Sequence, residues 1–153
     1  AVTEDGVASA LSDVFSKKDL KMFLKKKVAG PLKLHHEFRV AVADCPNCCS
    51  RPQICDIGLV GAARPVLTNE TCSRCGACVT ACPDGIVVLR EDAEIPEIDF
   101  SQCLSCGKCI EACPTETIAE DVSGYRILVG GKLGRHPHLA DELPGIYSLK
   151  EVL

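Results

Sequence analysis

Two copies of one cysteine pattern restrict the fold of this 153-residue chain more than any other feature of its sequence. The copies read CSRCGACVTACP and CLSCGKCIEACP, and both follow C-x2-C-x2-C-x3-C-P. The eight cysteines are Cys72, Cys75, Cys78 and Cys82 in the first run and Cys103, Cys106, Cys109 and Cys113 in the second. Thiols at such short and regular spacing are typical metal ligands, because one tight loop can turn several of them toward one point. We therefore expect the chain to fold around what these thiols bind.

The spacing is that of the bacterial ferredoxin run, in which the fourth cysteine of each run binds the cluster of the other run. Three thiols of one loop can reach one cubane, while a short helix and the following proline turn the fourth away. Gly76 and Gly107 would let backbone amides approach the sulfides closely. We therefore predict two [4Fe–4S] clusters with crossed ligands. One would be bound by Cys72, Cys75, Cys78 and Cys113, and the other by Cys103, Cys106, Cys109 and Cys82.

Other uses of the thiols fit the sequence less well. Paired zinc sites would need neither the third cysteine of a run nor the proline after the fourth. The even count of 12 cysteines suits a secreted disulfide scaffold, but the chain shows no secretory hydrophobic region. No apolar run approaches the roughly 20 residues that cross a bilayer. We expect a reducing, anaerobic and cytoplasmic setting without a membrane span.

The spacing of apolar residues predicts two helices at the start of the chain. Val7, Leu11 and Phe15 recur at helical spacing. A second helix is expected to start at Ser16, with Asp19 completing an S-x-x-D capping box. This helix holds the lysines of SKKDLKMFLKKK, a pattern typical of a solvated face or of a docking surface for an acidic partner. Without interleaved aromatic residues or a recognition motif, it does not indicate nucleic-acid binding.

Three stretches predict strands, which makes the expected fold class α+β. HEFRVAVAD alternates large apolar residues with arginine or alanine and ends just before Cys45, DIGLVGAARPVL is extended and punctuated by glycine, and GYRILVGG follows the second cysteine run. Shorter strands are expected between the runs, as at residues 86–89. The predicted division is an N-terminal segment over 1–66, a ferredoxin-type domain over 67–121 and a return segment over 122–153.

The sequence flanking the cysteine runs resembles a known family. FRVAVADCPNCCSRPQICDIGLVG, a ferredoxin insert and YRILVGGKLGRHPHLA follow one another in this order. This order is similar to the sirohaem and [4Fe–4S] half of the nitrite and sulfite reductase family, especially the dissimilatory and anaerobic sulfite reductase subunits. The resemblance covers roughly residues 30–149. It implies a truncated sulfite-reductase-like lobe with an inserted ferredoxin-type βαβ repeat domain.

The resemblance also implies site residues outside the two runs. In this family a C-x5-C pair and a later C-x3-C pair bind a cluster, and one thiolate of the C-x3-C pair also bridges to the sirohaem iron. Cys45 and Cys49 match the C-x3-C pair, with Cys49 as the bridging ligand. Arg51, Lys132 and Arg135 fall in segments where the family places basic residues near sirohaem carboxylates or the anionic substrate.

The segment CPNCCSRPQIC departs from the family pattern. No cysteine precedes Cys45, so the upstream pair is missing, while Cys48 and Cys55 are additional. We therefore expect Cys45, Cys48, Cys49 and Cys55 to supply up to four ligands of a third [4Fe–4S] cluster. Neighbouring side chains diverge, so either a turn at Pro46–Asn47 brings Cys48 and Cys49 together or one of these thiols stays free. The alternative is a remnant whose cysteines are buried small residues.

The function that the sequence indicates is single-electron transfer through these clusters. The expected partners are redox proteins or subunits of a larger oxidoreductase complex. The competing hypothesis is a subunit of a sirohaem-dependent sulfite or nitrite reductase that a partner chain completes. Sirohaem is not expected in the chain alone, because the upstream lobe of its cradle is missing and one short lobe cannot close the cavity. The sequence indicates no catalytic residue.

Overall fold

The computed structural model describes residues 6–153, so the first five residues of the predicted N-terminal segment lie outside the described part. The fold is mixed helix and sheet. The helices are α1 (Val7–Lys17), α2 (Leu20–Lys27), α3 (Ala77–Ala81), α4 (Lys108–Glu111) and α5 (Leu149–Val152). The strands are β1 (Val40–Ala43), β2 (Ile57–Leu67), β3 (Val87–Val88), β4 (Glu97–Ile98), β5 (Ile118–Val129) and β6 (Asp141–Glu142).

The longest strand pairing in the molecule is the antiparallel ribbon of β2 and β5. Its register runs from Ile57 opposite Val129 to Leu67 opposite Ile118, with a bulge at Arg64 and Pro65. The bulge fits the sequence, because proline cannot donate to the hydrogen-bond ladder. The region with both cysteine runs therefore leaves the ribbon after Leu67 and returns to it at Ile118.

Two short strands complete the main sheet, whose order is β1-β2-β5-β6. Strand β1 is parallel to β2, and β6 is antiparallel to β5. Parallel strands need a crossover connection. Here the connection from β1 to β2 contains CPNCCSRPQIC, with a single turn of 3-10 helix at Pro52–Ile54. This cysteine segment is therefore held between two neighbouring strands.

The two faces of the main sheet are covered differently. On one face, Val7 and Leu11 of α1 pack with Leu59 and Tyr125, each at most 8% exposed. On the other face, a side chain at Gly58 would lie 2.6 Å from the carbonyl oxygen of Pro52. The absence of that side chain lets the Pro52–Ile54 turn lie directly on the sheet.

A second core lies in the region between β2 and β5. Its buried members are Cys78, Val87, Cys109 and Ile118. Cys82 and Cys113 pack against them together with four apolar side chains, Leu67, Ile86, Ile98 and Ile110. Thiols therefore make up much of this core, as expected where bound metal supplies part of the folding free energy.

The start of the second helix corrects one sequence-based prediction. Ser16 does not begin a helix but lies within α1, where its hydroxyl donates to the carbonyl of Asp13 at 2.9 Å. Asp19 is itself the N-cap of α2, and its carboxylate accepts from the amide of Met22 at 3.0 Å. A left-handed backbone at Asp19, with φ of 39°, breaks the helical path between the two helices.

The strands occur where the sequence predicts them, with different ends. Strand β1 is limited to Val40–Ala43, and β5 begins at Ile118, well before the GYRILVGG stretch. The predicted division at 121/122 falls inside β5 and stays a prediction. Among residues 6–153, none of the helices combines the length and hydrophobicity that crossing a lipid bilayer requires.

Candidate metal centres

The two cysteine runs adopt the same backbone conformation. Arg74 and Gly76 have φ of 55° and 70°, and the matching Ser105 and Gly107 have φ of 55° and 75°. These left-handed residues alternate with the cysteines, so the chain curls and turns successive amides inward. The sequence repeat is therefore also a structural repeat.

Backbone amides point at cysteine sulfurs in both loops. The amide of Arg74 lies 3.3 Å from the sulfur of Cys72, and the amide of Ser105 lies 3.4 Å from the sulfur of Cys103. Such N–H donors stabilise thiolate ligands and favour the reduced form of a bound cluster. The loops thus provide the donors that a [4Fe–4S] cluster needs around its sulfurs.

Each run contributes three thiols to its own cavity and one to the other. Cys72, Cys75, Cys78 and Cys113 line the first cavity. Cys103, Cys106, Cys109 and Cys82 line the second. This crossed grouping is the one that the ferredoxin spacing predicts. Each cavity is thus lined by four thiols, the number of ligands that one cubane cluster takes.

Throughout residues 6–153, no three side chains of His, Cys, Asp or Glu approach closely enough to hold one metal ion. The thiols of each set instead share a cavity with apolar neighbours such as Leu89 in the first and Ile98 in the second.

Hydrogen bonds prepare two thiols of the first set for ligation. The amide of Ala77 and the hydroxyl of Ser73 lower the pKa of Cys75. Burial acts to raise the pKa of Cys113, but the amide of Ile118, 3.4 Å from the sulfur, and the Thr115 side chain lower it overall. Both thiols are therefore more easily deprotonated than an ordinary cysteine, which favours their binding to a metal.

The pKa values of the two buried thiols Cys78 and Cys109 are shifted in the opposite direction. Burial raises the pKa of Cys78. Burial, and then the nearby Cys106 and Cys103, raise the pKa of Cys109 to about 11. A buried thiol that resists ionisation in the metal-free protein gains most from a cation beside it, so iron would drive its deprotonation.

Arg74 is a structural residue of the first loop that sequence reasoning missed. Its guanidinium donates to the carbonyl oxygens of Arg90 at 3.1 Å, Glu91 at 2.9 Å and Ala93. These bonds tie the loop after Cys72 to the acidic turn between β3 and β4. The sequence could not indicate this role, because all three acceptors are backbone carbonyl oxygens, which any residue type would provide.

The segment from Cys45 to Cys55 forms a turn at the predicted place. The amide of Cys48 donates to the carbonyl of Cys45 at 3.1 Å, and Cys48 has φ of 53°. The side-chain amide of Asn47 lies 3.0 Å from the sulfur of Cys49. The turn therefore brings Cys45, Cys48 and Cys49 into one loop, with Cys45 and Cys49 exposed.

Cys48 and Cys55 have different surroundings. Burial raises the pKa of Cys48, while a hydrogen bond from Gln53 and the guanidinium of Arg126 act in the other direction. Arg126 is held by Glu142, whose carboxylate accepts from the arginine Nε at 2.6 Å. Cys55 is buried, and its thiol lies 3.7 Å from the carbonyl oxygen of Arg51.

Of the three basic residues that the family resemblance indicated, Arg51, Lys132 and Arg135, only two line the same groove. Lys132 and Arg135 line one surface groove, which His35, Arg39 and His136 also line together with two carboxylates. The backbone of Lys132 exchanges hydrogen bonds with His138 at 2.9 and 3.0 Å, which closes the loop that carries these residues.

Arg51 does not line this groove. It is exposed and left-handed, with φ of 55°, directly before the Pro52–Ile54 turn. The structure therefore brings Lys132 and Arg135 together and leaves Arg51 with the cysteine loop.

Comparisons with known proteins agree with the geometry of the two runs. Residues 64–129 match the 4Fe-4S dicluster domain family. The coenzyme F420-dependent sulfite reductase of Methanocaldococcus jannaschii is 42% identical over 100 residues, which cover 65% of this chain and 16% of that protein. An anaerobic sulfite reductase subunit of Salmonella typhimurium is 35% identical over 57 residues, 37% of this chain and 16% of the relative.

Among solved structures, dissimilatory sulfite reductase I (DsrI) aligns with a TM-score of 0.43 and 20% identity over 72% of this chain and 32% of that chain. The chain spans 16% of the length of each of the two curated relatives. Residues 64–129 are thus similar to 4Fe-4S dicluster domains, and parts of the chain are similar in sequence to a sulfite reductase and to a sulfite reductase subunit.

Proposed function

We propose that this chain relays single electrons through two [4Fe–4S] clusters with crossed ligands. The observation that carries the proposal is the composition of the two cavities. Each is lined by the first three thiols of one run and the last thiol of the other. Cys72, Cys75, Cys78 and Cys113 would hold the first cluster, and Cys103, Cys106, Cys109 and Cys82 the second. Residues 67–121 would form the ferredoxin-type unit inserted between the two segments of the sulfite-reductase-like lobe.

The clusters would supply the one-electron chemistry, and the chain would control their surroundings. Amides of Arg74 and Ser105 donate toward ligand sulfurs and so stabilise negative charge there. Val87 and Ile118, 2% and 1% exposed, keep water from the inner side of the cavities. Exposed ligands such as Cys75 would lie at the surface, where a redox partner can approach.

We propose a third cluster in the segment from Cys45 to Cys55. Cys45, Cys48 and Cys49 share one turn, and the guanidinium of Arg126 lies near enough to Cys48 to affect its pKa. A cation at this place favours thiolates. Cys55 would have to release the carbonyl of Arg51 to become the fourth ligand.

A second candidate function follows from the relatives. At 42% identity to a sulfite reductase, the chain is proposed to serve as the electron-transfer segment of a sulfite-reductase-type enzyme. Its partners would then be redox subunits or other segments of that oxidoreductase, working in the cytoplasm. In that case Lys132 and Arg135 would face an anionic cofactor or substrate, and sirohaem would be held jointly with a partner rather than by this chain alone.

Metal analysis and visible spectroscopy test these proposals. The protein is purified without oxygen, its clusters are reconstituted, and iron and acid-labile sulfide are measured per chain. Two cubanes give about eight of each, and a third cluster gives about twelve. A chain without iron would refute the electron-relay proposal. The sharp absorption bands of sirohaem in the isolated chain would favour the catalytic alternative.

A further inference from the structure

The two cavities are lined by residues at matching positions of the repeat that differ in chemistry. Ser73 in the first cavity corresponds to Leu104 in the second. Two residues after the fourth cysteine of each run, Thr115 lines the first cavity and Asp84 the second. The two cavities therefore share the same set of four cysteines but differ in the side chains beside them.

The first cavity is rich in hydroxyl donors. Ser73 lines the first cavity together with Cys75, and the Thr115 hydroxyl lies 3.8 Å from the sulfur of Cys113. Thr117, fully buried, lies 2.8 Å from the Thr115 hydroxyl and supports its orientation. A thiolate bound to iron has no proton, so a hydroxyl that hydrogen-bonds it acts as the donor. Such donors stabilise the added negative charge of a reduced cluster.

The second cavity has no matching donors at these three positions. Leu104 is apolar, Ile86 replaces Thr117, and Asp84 brings a carboxylate instead of a hydroxyl. A carboxylate beside a cluster opposes the arrival of an electron. Asp84 is exposed, so water and salt weaken its effect but do not change its sign.

Each cysteine run also carries a cation between its cysteines, and each cation would raise the reduction potential of a nearby cluster. Arg74, fixed on three carbonyl groups, is a cation in the first loop where the second has Ser105. Lys108 is a cation in the second run where the first has Ala77. Lys108 is exposed and does not line the cavity, so its charge is well hydrated. Arg74 is likewise exposed and does not line the first cavity, so the two cations offset each other and the hydroxyl donors decide the order.

We propose that the two clusters have different reduction potentials, and that the cluster of Cys72, Cys75, Cys78 and Cys113 is the more easily reduced. The inference depends on the proposed function, because it needs both clusters. A single electron delivered to the chain would then reside on the first cluster, beside Ser73 and Thr115. The second cluster would take an electron only at a lower potential.

A redox titration followed by electron paramagnetic resonance tests this ordering in the reconstituted protein. Two reduction waves are expected. Thr115→Val, which removes a hydroxyl at constant volume, should shift only the higher wave to lower potential. Asp84→Asn should shift only the lower wave to higher potential. Ser12→Ala, which removes an exposed hydroxyl on α1, is the matched control and should move neither wave.

A double variant that gives the first cavity two residues of the second cavity provides a test that does not depend on any single substitution. In Ser73→Leu with Thr115→Asp, the difference between the waves should shrink or invert. Coincident waves in the unaltered protein, or a Thr115→Val shift of the lower wave, would overturn the inference. Iron analysis of the same samples distinguishes failure of this inference from failure of the proposed function. About eight irons with coincident waves would refute the inference alone, whereas absence of iron would refute the proposed function.

Discussion

The backbone amide of Ala63 donates a 2.7 Å hydrogen bond to the carbonyl oxygen of Ser105. Ala63 also forms a parallel bridge with Cys106. The second cysteine loop is thus bound directly to the middle of β2. The first ligand set meets the ribbon at its far end, where the amide of Ile118 lies 3.4 Å from the sulfur of Cys113. The two cavities therefore lie at successive positions along one ribbon.

The crossed ligand sets predict which cluster each single substitution damages. Cys82→Ser should disturb the cluster of Cys103, Cys106 and Cys109, although Cys82 belongs to the first run, because Cys82 lines that cavity. Electron paramagnetic resonance of the reduced protein should show one altered signal and one unchanged signal. Cys113→Ser is the reciprocal control and should alter the other signal. Loss of the Cys72, Cys75 and Cys78 cluster in Cys82→Ser would contradict the crossed arrangement.

Removal of iron should unfold the region between β2 and β5. Its core contains Cys78 and Cys109 beside Val87 and Ile118, so much of its packing depends on thiols held by metal. In the chelated protein, kept reduced, the amide resonances of residues 70–117 should lose their dispersion, and reconstitution should restore it. A well-dispersed spectrum of this region without iron would show that its apolar contacts suffice.

The cysteine segment between β1 and β2 predicts a difference in iron content. If it binds a third cluster, the double variant Cys45→Ser with Cys49→Ser should lose about four irons per chain and the same amount of sulfide. Cys55→Ala alone tests whether the buried thiol is the fourth ligand or a structural residue. The segment is a remnant if iron content stays the same in both variants.

Truncation of the main core should destabilise the chain without changing the clusters. Leu59 is 1% exposed and packs with Val7, Leu11 and Tyr125. Leu59→Ala should lower the free energy of unfolding by about 2–5 kcal/mol, from lost burial and the cavity that remains. Denaturant titration under anaerobic conditions measures the loss. Val66→Ala, at a position 39% exposed on the same strand, is the control and should cost far less.

The capping box of α5 predicts a pH dependence of stability at the end of the chain. Hydrogen bonds from the Ser148 hydroxyl and amide, at 2.7 and 2.8 Å, hold the pKa of Glu151 below its usual range. The stabilisation is therefore fully present above the ordinary glutamate pKa of about 4.3 and is lost as pH falls through the lower folded value. A carbon-13 NMR titration of the carboxyl should show the lowered pKa, and Ser148→Ala should restore the usual one.

The sequence predicted the grouping of the eight thiols in the two cavities better than it predicted the residues around them. Thiol spacing defines which cysteines can share a cubane, so the grouping of Cys82 with the second run could be anticipated. The α+β class followed from alternation in β1 and from the extended stretch of β2. The N-cap at Asp19 was misplaced because Ser16 also satisfies a capping pattern, and only the left-handed backbone at Asp19 distinguishes them. The role of Arg74 depends on backbone carbonyls brought near by the fold, which no local pattern encodes.

The register pair of Leu67 and Ile118 has a consequence for how such chains arise and can be rebuilt. The chain departs from the sheet and rejoins it at adjacent points, so residues 68–117 occupy the position of a hairpin turn. A unit attached in this way can be exchanged without altering the order of the strands, because its two ends leave the sheet at neighbouring points. Such an exchange would also have to replace the hydrogen bond between Ala63 and Ser105, which lies next to the bulge at Arg64 and Pro65.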